Sequence, residues 1–427
     1  MTHKFLLYSL GCKVNSYECS ALRTLMLDKG FVEAKKGEEV DVVIINTCSV
    51  TATADQKSRQ QIRKFKTKYP NAIICVMGCY SQGNPEYIQN EIGAHVIVGT
   101  SNRSLIPVLV MNCLQKPTIF NRTRNNPRNF LYEELGVVAH SENIRAYLKI
   151  QDGCDNFCSY CLIPYRRGKS RSREFNNVIK EAENLVNLGY KEIVLTGIHV
   201  GGYGSDLKNH NFSELVEAIS NIEGLYRLRI SSIEESEIDD KLIDLIKTRD
   251  NIAKHLHIPL QSGSDTVLKR MNRKYTCEEF KNKLNKIRRL IPEIALTTDV
   301  IVGFPGETEE EFNETRQFII DCDFNMLHVF PFSAREGTAA YFMKGQLDNS
   351  IKKARSHKLL ELSKELWDKY TDQFISKEIS ILIEQIDKEK GLCYGHSSNF
   401  INISIPFNDE KPGNIVKTTL KKTDVIE

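Results

Sequence analysis

Three short apolar runs in the first third of the chain each stop at a small turn that carries a cysteine. Leu6–Leu10 ends at Gly11-Cys12, Val42–Ile45 at Asn46-Thr47-Cys48, and Ala72–Met77 at Gly78-Cys79. The runs have the length of buried strands, and stretches of helical period lie between them. Alternating strands and helices predict a parallel, doubly wound sheet, with its ligand crevice in the loops beyond the strands' carboxyl ends. After an Asn/Arg-rich stretch, Asn121–Asn129, read as a linker, six more strand-like runs recur: Ala146–Ile150, Glu192–Thr196, Arg227–Ile230, His255–Ile258, Leu296–Val302 and Met326–Phe330. Helical stretches such as Val178–Leu188 and Cys277–Leu290 separate them, which predicts a partial (β/α)6 barrel whose active site lies in the loops after its strands. A long helical run from Asn349 to about Phe374 closes that unit, with Trp367 read as packing. Short alternating runs come next, Glu378–Ile383, Leu392–His396, Phe400–Ile405 and Asn414–Thr418, and predict a small β-barrel. The expected fold class is α/β in three parts: an N-terminal parallel α/β domain over 1–120, a central barrel over 140–370 and a C-terminal β-barrel over 375–427.

Composition narrows the setting. The chain's 427 residues suit two or three domains. Lys+Arg 58 against Asp+Glu 55 gives a formal charge of +3, so a nucleic-acid surface has to come from local clustering. One such cluster is the basic, helix-like stretch Asp55–Lys64, which equally fits a solvated helix face. No apolar run approaches the roughly 20 residues of a membrane span. The opening Met1–Tyr8 is too short and too soon interrupted for a signal peptide, so a cytoplasmic location is expected.

Twelve cysteines in such a chain point to metal or chemistry sooner than to disulfides. Cys12, Cys48 and Cys79 fall at the same topological place on three strands and would converge, as suits a cluster with one open iron or a zinc site lacking a ligand. A single cysteine there would read as an ordinary small buried residue; three at equivalent places reverse that reading. Cys75 lies mid-strand and reads as core, and Cys19, Cys113, Cys277, Cys322 and Cys393 lack any comparable spacing. The loop after the first barrel strand reads Cys154-Asp155-Asn156-Phe157-Cys158-Ser159-Tyr160-Cys161. Three thiolates this close can hold three irons of a cubane and leave the fourth open. A zinc knuckle would call for a fourth Cys or His nearby, and the sequence has none there.

CxxxCxxC with an aromatic before its last cysteine, after the first strand of a partial barrel, resembles the radical S-adenosylmethionine (SAM) superfamily. The resemblance implies that Cys154, Cys158 and Cys161 hold a 4Fe–4S cluster whose open iron is chelated by SAM. One electron then cleaves SAM to methionine and a 5′-deoxyadenosyl radical. It further implies SAM contacts from Tyr160, from Thr196-Gly197 after the second strand, from Gln261-Ser262 beyond the fourth, and from the Ile301–Glu307 stretch, notably Ile301 and Gly303. Gly201, Gly202 and Gly204 allow close backbone approach, though glycines also mark plain turns. Arg166, Arg167, Arg171 and Arg173 are candidates for SAM carboxylate or RNA phosphate.

The three-part chain as a whole resembles the methylthiotransferases. Gly11-Cys12-Lys13-Val14-Asn15, with Asn46-Thr47-Cys48, Gly78-Cys79-Tyr80, Leu195–His199 and His257–Gly263, is most similar to the branch acting on N6-threonylcarbamoyladenosine in tRNA. The isopentenyladenosine branch usually has Gly-Cys-Gln-Met-Asn at the first phrase, and the ribosomal-protein branch Gly-Cys-Pro-Lys-Asn. The resemblance implies a second 4Fe–4S cluster on Cys12, Cys48 and Cys79, where incoming sulfur is methylated by one SAM while a second SAM yields the radical that activates C2 of the adenine. The substrate would be tRNA with adenosine at position 37, where an unpaired anticodon-loop base can enter a pocket at modest cost. An electron donor such as flavodoxin or ferredoxin and a sulfur donor are implied, and the C-terminal barrel would bind RNA in the manner of a TRAM domain, although short for that family, or else merely cover the main barrel. The alternatives are a methylthiotransferase for isopentenyladenosine tRNA or a ribosomal-protein aspartate, and a non-catalytic iron–sulfur RNA-binding protein.

Overall fold

The computed structural model describes residues 2–123, 127–136, 138 and 144–426. The N-terminal sheet has six strands, all parallel, with Lys4–Ser9, Val42–Thr47 and Ile73–Gly78 adjacent near its centre. Alternate residues of these strands feed two cores. Phe5, Ile44 and Cys75 face one layer with Leu22 and Met26, whereas Val43, Ile45 and Ile74 face the other with Ile62 and Ile88. This two-sided burial is the physical content of the doubly wound prediction. Three two-residue strands, Val32–Glu33, Val96–Ile97 and Phe120–Asn121, complete the sheet and are too short for periodicity to reveal.

The central strands are Ala146–Lys149, Glu192–Thr196, Arg227–Ile230, His255–His257, Ala295–Val302 and Met326–Pro331. They form two three-stranded parallel sheets, joined into one open arc by the bridges Leu228–Ile252 and Ser232–His257. Reciprocal capping boxes set two of the outer helices: Thr276 with Glu279 starts Cys277–Leu290, and Thr308 with Glu311 starts Glu309–Asp321.

The expected linker Asn121–Asn129 falls partly outside the described residues, at 124–126. Beyond it, Leu135 and Val138 join Tyr17 and Ala21 of the helix Lys13–Asp28 in a small core of their own.

The C-terminal region is the expected small antiparallel β unit, a half-barrel whose tail bridges back from Val425 to Ile403. Four antiparallel strands run in the order Asn402–Pro406, Leu392–Ser397, Glu378–Asp387, Ile415–Thr419, and the two outer strands stay unpaired with each other. Ile381, Ile383 and Ile403 pack on Trp367 and Tyr370 of the helix Asn349–Asp372, so the tryptophan is core. The sheet docks on the barrel's base through a buried charge cluster. Glu192 accepts from Arg229 Nε at 2.8 Å and Arg227 Nη1 at 3.0 Å, and His396 Nε2 lies 3.0 Å away. Both arginines also donate to carbonyls of Ser380, Ser397 and Ser398. Burial opposes the Glu192 charge, but Arg229, His396 and Arg227 together hold its carboxyl well below the usual range.

Candidate active site: two thiol triplets and a barrel lumen

The loops bearing Cys12, Cys48 and Cys79 interlock through glycine and asparagine. Gly11 sits at φ +101°, and a Cβ there would fall 2.7 Å from Cys48 Cβ, so a glycine is what lets the Cys12 loop lie against Cys48. Asn15 donates Nδ2 to Leu10 O at 2.6 Å and to Thr47 O at 3.2 Å, tying the first loop to the second. Thr47 Oγ1 donates to Met77 O at 2.6 Å and ties the second to the third. Ser58 brackets Cys48, accepting from its N–H at 3.3 Å and donating to its carbonyl at 3.0 Å. Cys12 is exposed, and Cys48 and Cys79 are buried. Burial pushes the Cys48 thiol up to about 11, with Cys79 and Cys12 adding to the rise, so the three sulfurs sense one another. Burial also raises Cys79, against the pull of Arg167.

The second triplet rides on a loop pinched at its base by the antiparallel pair Gln151–Asp152 and Arg171–Ser172. Burial, with neighbouring thiols of the triplet adding to it, raises Cys154 and Cys161 to about 12 each. Donors point at the sulfurs: Asn156 N at 3.5 Å from Cys154 Sγ, Ile163 N at 3.5 Å from Cys161 Sγ, and Arg273 Nη1 at 3.3 Å from Cys158 Sγ. Arg273 is anchored in turn by Glu234. Among the described residues no three His, Cys, Asp or Glu groups close on a single metal ion. Thiolates that each take a different iron of a cubane do not converge on one point, and N–H donors to sulfur are what such ligands need. The donor sets therefore fit 4Fe–4S clusters. Of the remaining cysteines, Cys19, Cys75, Cys113, Cys322 and Cys393 lie in apolar cores and Cys277 packs against one.

Arg167 joins the two halves. It lies on the turn after Cys161, is fully buried, and donates Nε to Cys79 Sγ at 3.2 Å. Its other nitrogens reach Glu18 at 2.9 Å, Asp152 at 3.0 Å and Asn15 Oδ1 at 3.1 Å. Glu18 also takes Arg103 at 2.8 Å and Lys149 at 2.9 Å. Burial would raise the Glu18 carboxyl, yet Arg103, Arg167 and Lys149 outweigh it and hold the group well below the usual range. Arg171 pairs with Asp152 at 3.2 Å, and Arg173 with Glu134 and Glu181. Three of the four arginines expected at SAM or phosphate are thus committed to buried protein carboxylates, a correction to the sequence reading. Replacing Arg167 with Met should cost about 3 kcal/mol or more, because Glu18 and Asp152 stay buried with one cation fewer. A urea midpoint equal to wild type would mean that Arg103 and Lys149 suffice alone.

Beside the Cys12 loop lies the barrel lumen, a cavity of about 690 Å³. The twofold period of the strands turns Arg229 and Ser231, His255 and His257, Thr297 and Asp299, and Met326 and His328 inward. Gly11–Val14, with Thr196 and Gly197, also line it. Phe400, at φ +64° in the turn before Asn402–Pro406, closes the base, stacked on His255 at 4.9 Å. His257 bridges Thr297 Oγ1 at 2.9 Å and Asp299 at 3.1 Å. Lys13 is exposed and lines this cavity, and burial of its amine lowers it to about 8, with Arg145 and Arg229 adding to the effect.

An adjoining pocket of about 220 Å³ holds Tyr160, Gln261 and Ile301, and it shares Asp299 and Phe330 with the lumen. Thr196 and Gly197 stand instead on the lumen side, where Gln151 Oε1 fixes the following turn by accepting from Ile198 N at 3.1 Å and His199 N at 2.8 Å. Ser262 and Gly303 line neither space. The Ser262 hydroxyl is buried against Thr315 Oγ1 at 3.1 Å, and Gly303 turns at φ +72° against Lys352. Gly201 and Gly202 likewise meet Glu237 and His199.

The Radical SAM superfamily matches residues 148–319, and Uncharacterized protein family UPF0004 matches 4–99, the two spans that carry the thiol triplets. The chain is 45% identical over 419 residues to the threonylcarbamoyladenosine tRNA methylthiotransferase MtaB of Bacillus subtilis, covering 97% of this chain and 93% of that one. This chain belongs to the radical SAM methylthiotransferases. A protein of the same description from Chlamydia pneumoniae is 35% identical over 94% of this chain and 91% of its own. The tRNA-2-methylthio-N(6)-dimethylallyladenosine synthase of Clostridium tetani is 34% identical over 98% and 94%. Among solved structures, the radical SAM methyltransferase TsrM of Kitasatospora setae, determined with cobalamin and a 4Fe–4S cluster bound, superposes with a TM-score of 0.60 at 16% identity. It covers 78% of this chain and 75% of its own, and shares the fold. As a radical SAM methylthiotransferase the protein is an enzyme that uses SAM and 4Fe–4S clusters. No helix among the described residues is long and apolar enough to cross a membrane.

Proposed function

We propose that this enzyme converts N6-threonylcarbamoyladenosine at position 37 of tRNA into its 2-methylthio derivative, in the cytoplasm. The observation that carries this reading is the near-complete match at 45% identity to a relative of that named activity, higher than the 34% and 37% to dimethylallyladenosine synthases. When bound, a 4Fe–4S cluster on Cys154, Cys158 and Cys161 supplies the electron for reductive SAM cleavage, and one on Cys12, Cys48 and Cys79 supplies the sulfur-handling centre. Arg273, held by Glu234, orients Cys158, and Arg167 orients Cys79. Tyr160, Gln261 and Ile301 form a pocket suited to SAM beside the triplet, with Thr196 and Gly197 across the shared wall. Phe400 and the half-barrel shut the lumen's base and keep bulk water from a radical formed there. The reaction requires a flavodoxin- or ferredoxin-type electron donor and a sulfur source, and the half-barrel adds RNA contacts.

Reconstituted enzyme should methylthiolate threonylcarbamoylated tRNA at least about tenfold faster than dimethylallylated tRNA or a ribosomal-protein aspartate. Nucleoside and peptide mass spectrometry reads the outcome. Comparable turnover on dimethylallylated tRNA would refute the substrate while leaving the radical chemistry in place.

A further inference from the structure

The lumen contains polar groups that the protein itself leaves unsatisfied. Ser231 Oγ and His255 Nδ1 are both buried and lack hydrogen-bond partners. Lys13, between the Cys12 loop and the barrel, forms no hydrogen bond or ion pair among the described residues. Its neighbours do not neutralise it. Arg229 is committed to Glu192 and to two carbonyls of the half-barrel, and Arg145 to Glu384 at 2.7 Å. Asp299 is taken by His257. A lumen that, among the described residues, has one uncompensated cation, a hydroxyl and an imidazole nitrogen without partners is built for an anionic, hydrogen-bonding ligand and penalises an apolar one.

We infer that Lys13 is the specificity residue of the site, its ammonium pairing with the free carboxylate of the threonylcarbamoyl substituent while Ser231 and His255 serve that substituent's polar atoms. This rests on the substrate class proposed above, and it deepens that reading by assigning the discrimination to one side chain. A threonylcarbamoyl group ends in an amino-acid carboxylate and carries urea and hydroxyl groups. A dimethylallyl group offers none of these and would leave the Ser231 hydroxyl and the His255 nitrogen unpaired inside the barrel. The position is fixed by the fold: Lys13 comes directly after the cluster ligand Cys12, and Asn15 locks the loop to the second strand end. A base brought to the Cys12 side of the lumen would therefore extend its N6 substituent past this amine.

The test uses full-length reconstituted protein and three fluorescent anticodon stem-loop RNAs, carrying threonylcarbamoyladenosine, its carboxylate methyl ester, or dimethylallyladenosine. Wild type should bind the free carboxylate about 10- to 100-fold more tightly than the ester, the range of a charge-assisted hydrogen bond. Lys13→Met should bind both alike, with iron content and SAM affinity unchanged, and Lys13→Arg should keep a preference for the carboxylate. Equal binding of carboxylate and ester by wild type overturns the inference, even if Lys13→Met fails to fold. So does a Lys13→Met variant that weakens all three RNAs equally, which would mark a phosphate contact, or one that loses SAM affinity or iron. A wild type that prefers dimethylallyl RNA overturns the substrate reading itself, so the two failures are distinct.

Discussion

Replacing Cys154, Cys158 and Cys161 together with alanine is expected to remove about half of the reconstituted iron and to abolish reductive cleavage of SAM. The fold should survive the change, because the loop's shape rests on other contacts. Asn272 Nδ2 donates to Phe157 O at 2.9 Å, Ser159 N to Met271 O at 2.9 Å, and Cys154 N to Gly168 O at 3.0 Å. The last of these uses the backbone and is kept by alanine. Iron analysis gives the stoichiometry, and 5′-deoxyadenosine measured by chromatography gives the chemistry. The iron left behind should belong to the N-terminal triplet, which lies on a different sheet with its own supporting residues. Full iron content in the triple variant, or normal 5′-deoxyadenosine formation, would overturn the assignment of this loop.

How much the sequence revealed depends on how local each signal is. CxxxCxxC is a local pattern, and the six barrel strands are periodic runs, so both are readable without tertiary knowledge. The convergence of Cys12, Cys48 and Cys79 was readable at one remove, since parallel strands bring the ends of their carboxyl loops together. The arginines went astray because a motif shows charge but not its partner: Glu18 and Glu181 lie 149 and 8 residues from Arg167 and Arg173 respectively, and only the fold pairs them. The inward faces of the barrel were missed for a different reason. His255-Leu256-His257 and Thr297-Thr298-Asp299 do alternate, and that signal was present, but a lumen lined with polar groups breaks the apolar-inside expectation used to orient strands. Phe400 reads as the first residue of a strand run, yet it lies in the turn before Asn402–Pro406, and nothing in that pattern shows that the half-barrel carries it under the lumen. Ser262 and Gly303 stand in phrases that match the family, yet here they shape their loops from outside the pockets.

Replacing Cys12, Cys48 and Cys79 together with alanine should give the complementary phenotype: about half the iron, continued 5′-deoxyadenosine formation, and no methylthio product. Among the described residues the two triplets share no hydrogen-bond donor to sulfur, with Arg273 serving Cys158 and Arg167 serving Cys79. Changes at sites without shared partners leave each other's energetics within about 0.5 kcal/mol, so the cleavage rate should stay within roughly twofold of wild type. The N-terminal loops should remain folded, because Asn15, Thr47 and Ser58 tie them together without using sulfur. Arg167 keeps Glu18, Asp152 and Asn15 after losing the Cys79 sulfur, which protects the buried charges joining the sheet to the barrel. The readouts are iron content, 5′-deoxyadenosine, and mass spectrometry of nucleosides from treated tRNA. Methylthio product at the wild-type level would remove the N-terminal triplet from sulfur transfer. Loss of 5′-deoxyadenosine along with the product, in a variant whose urea midpoint matches wild type, would show that radical formation depends on both triplets and that the division of labour between sheet and barrel is wrong.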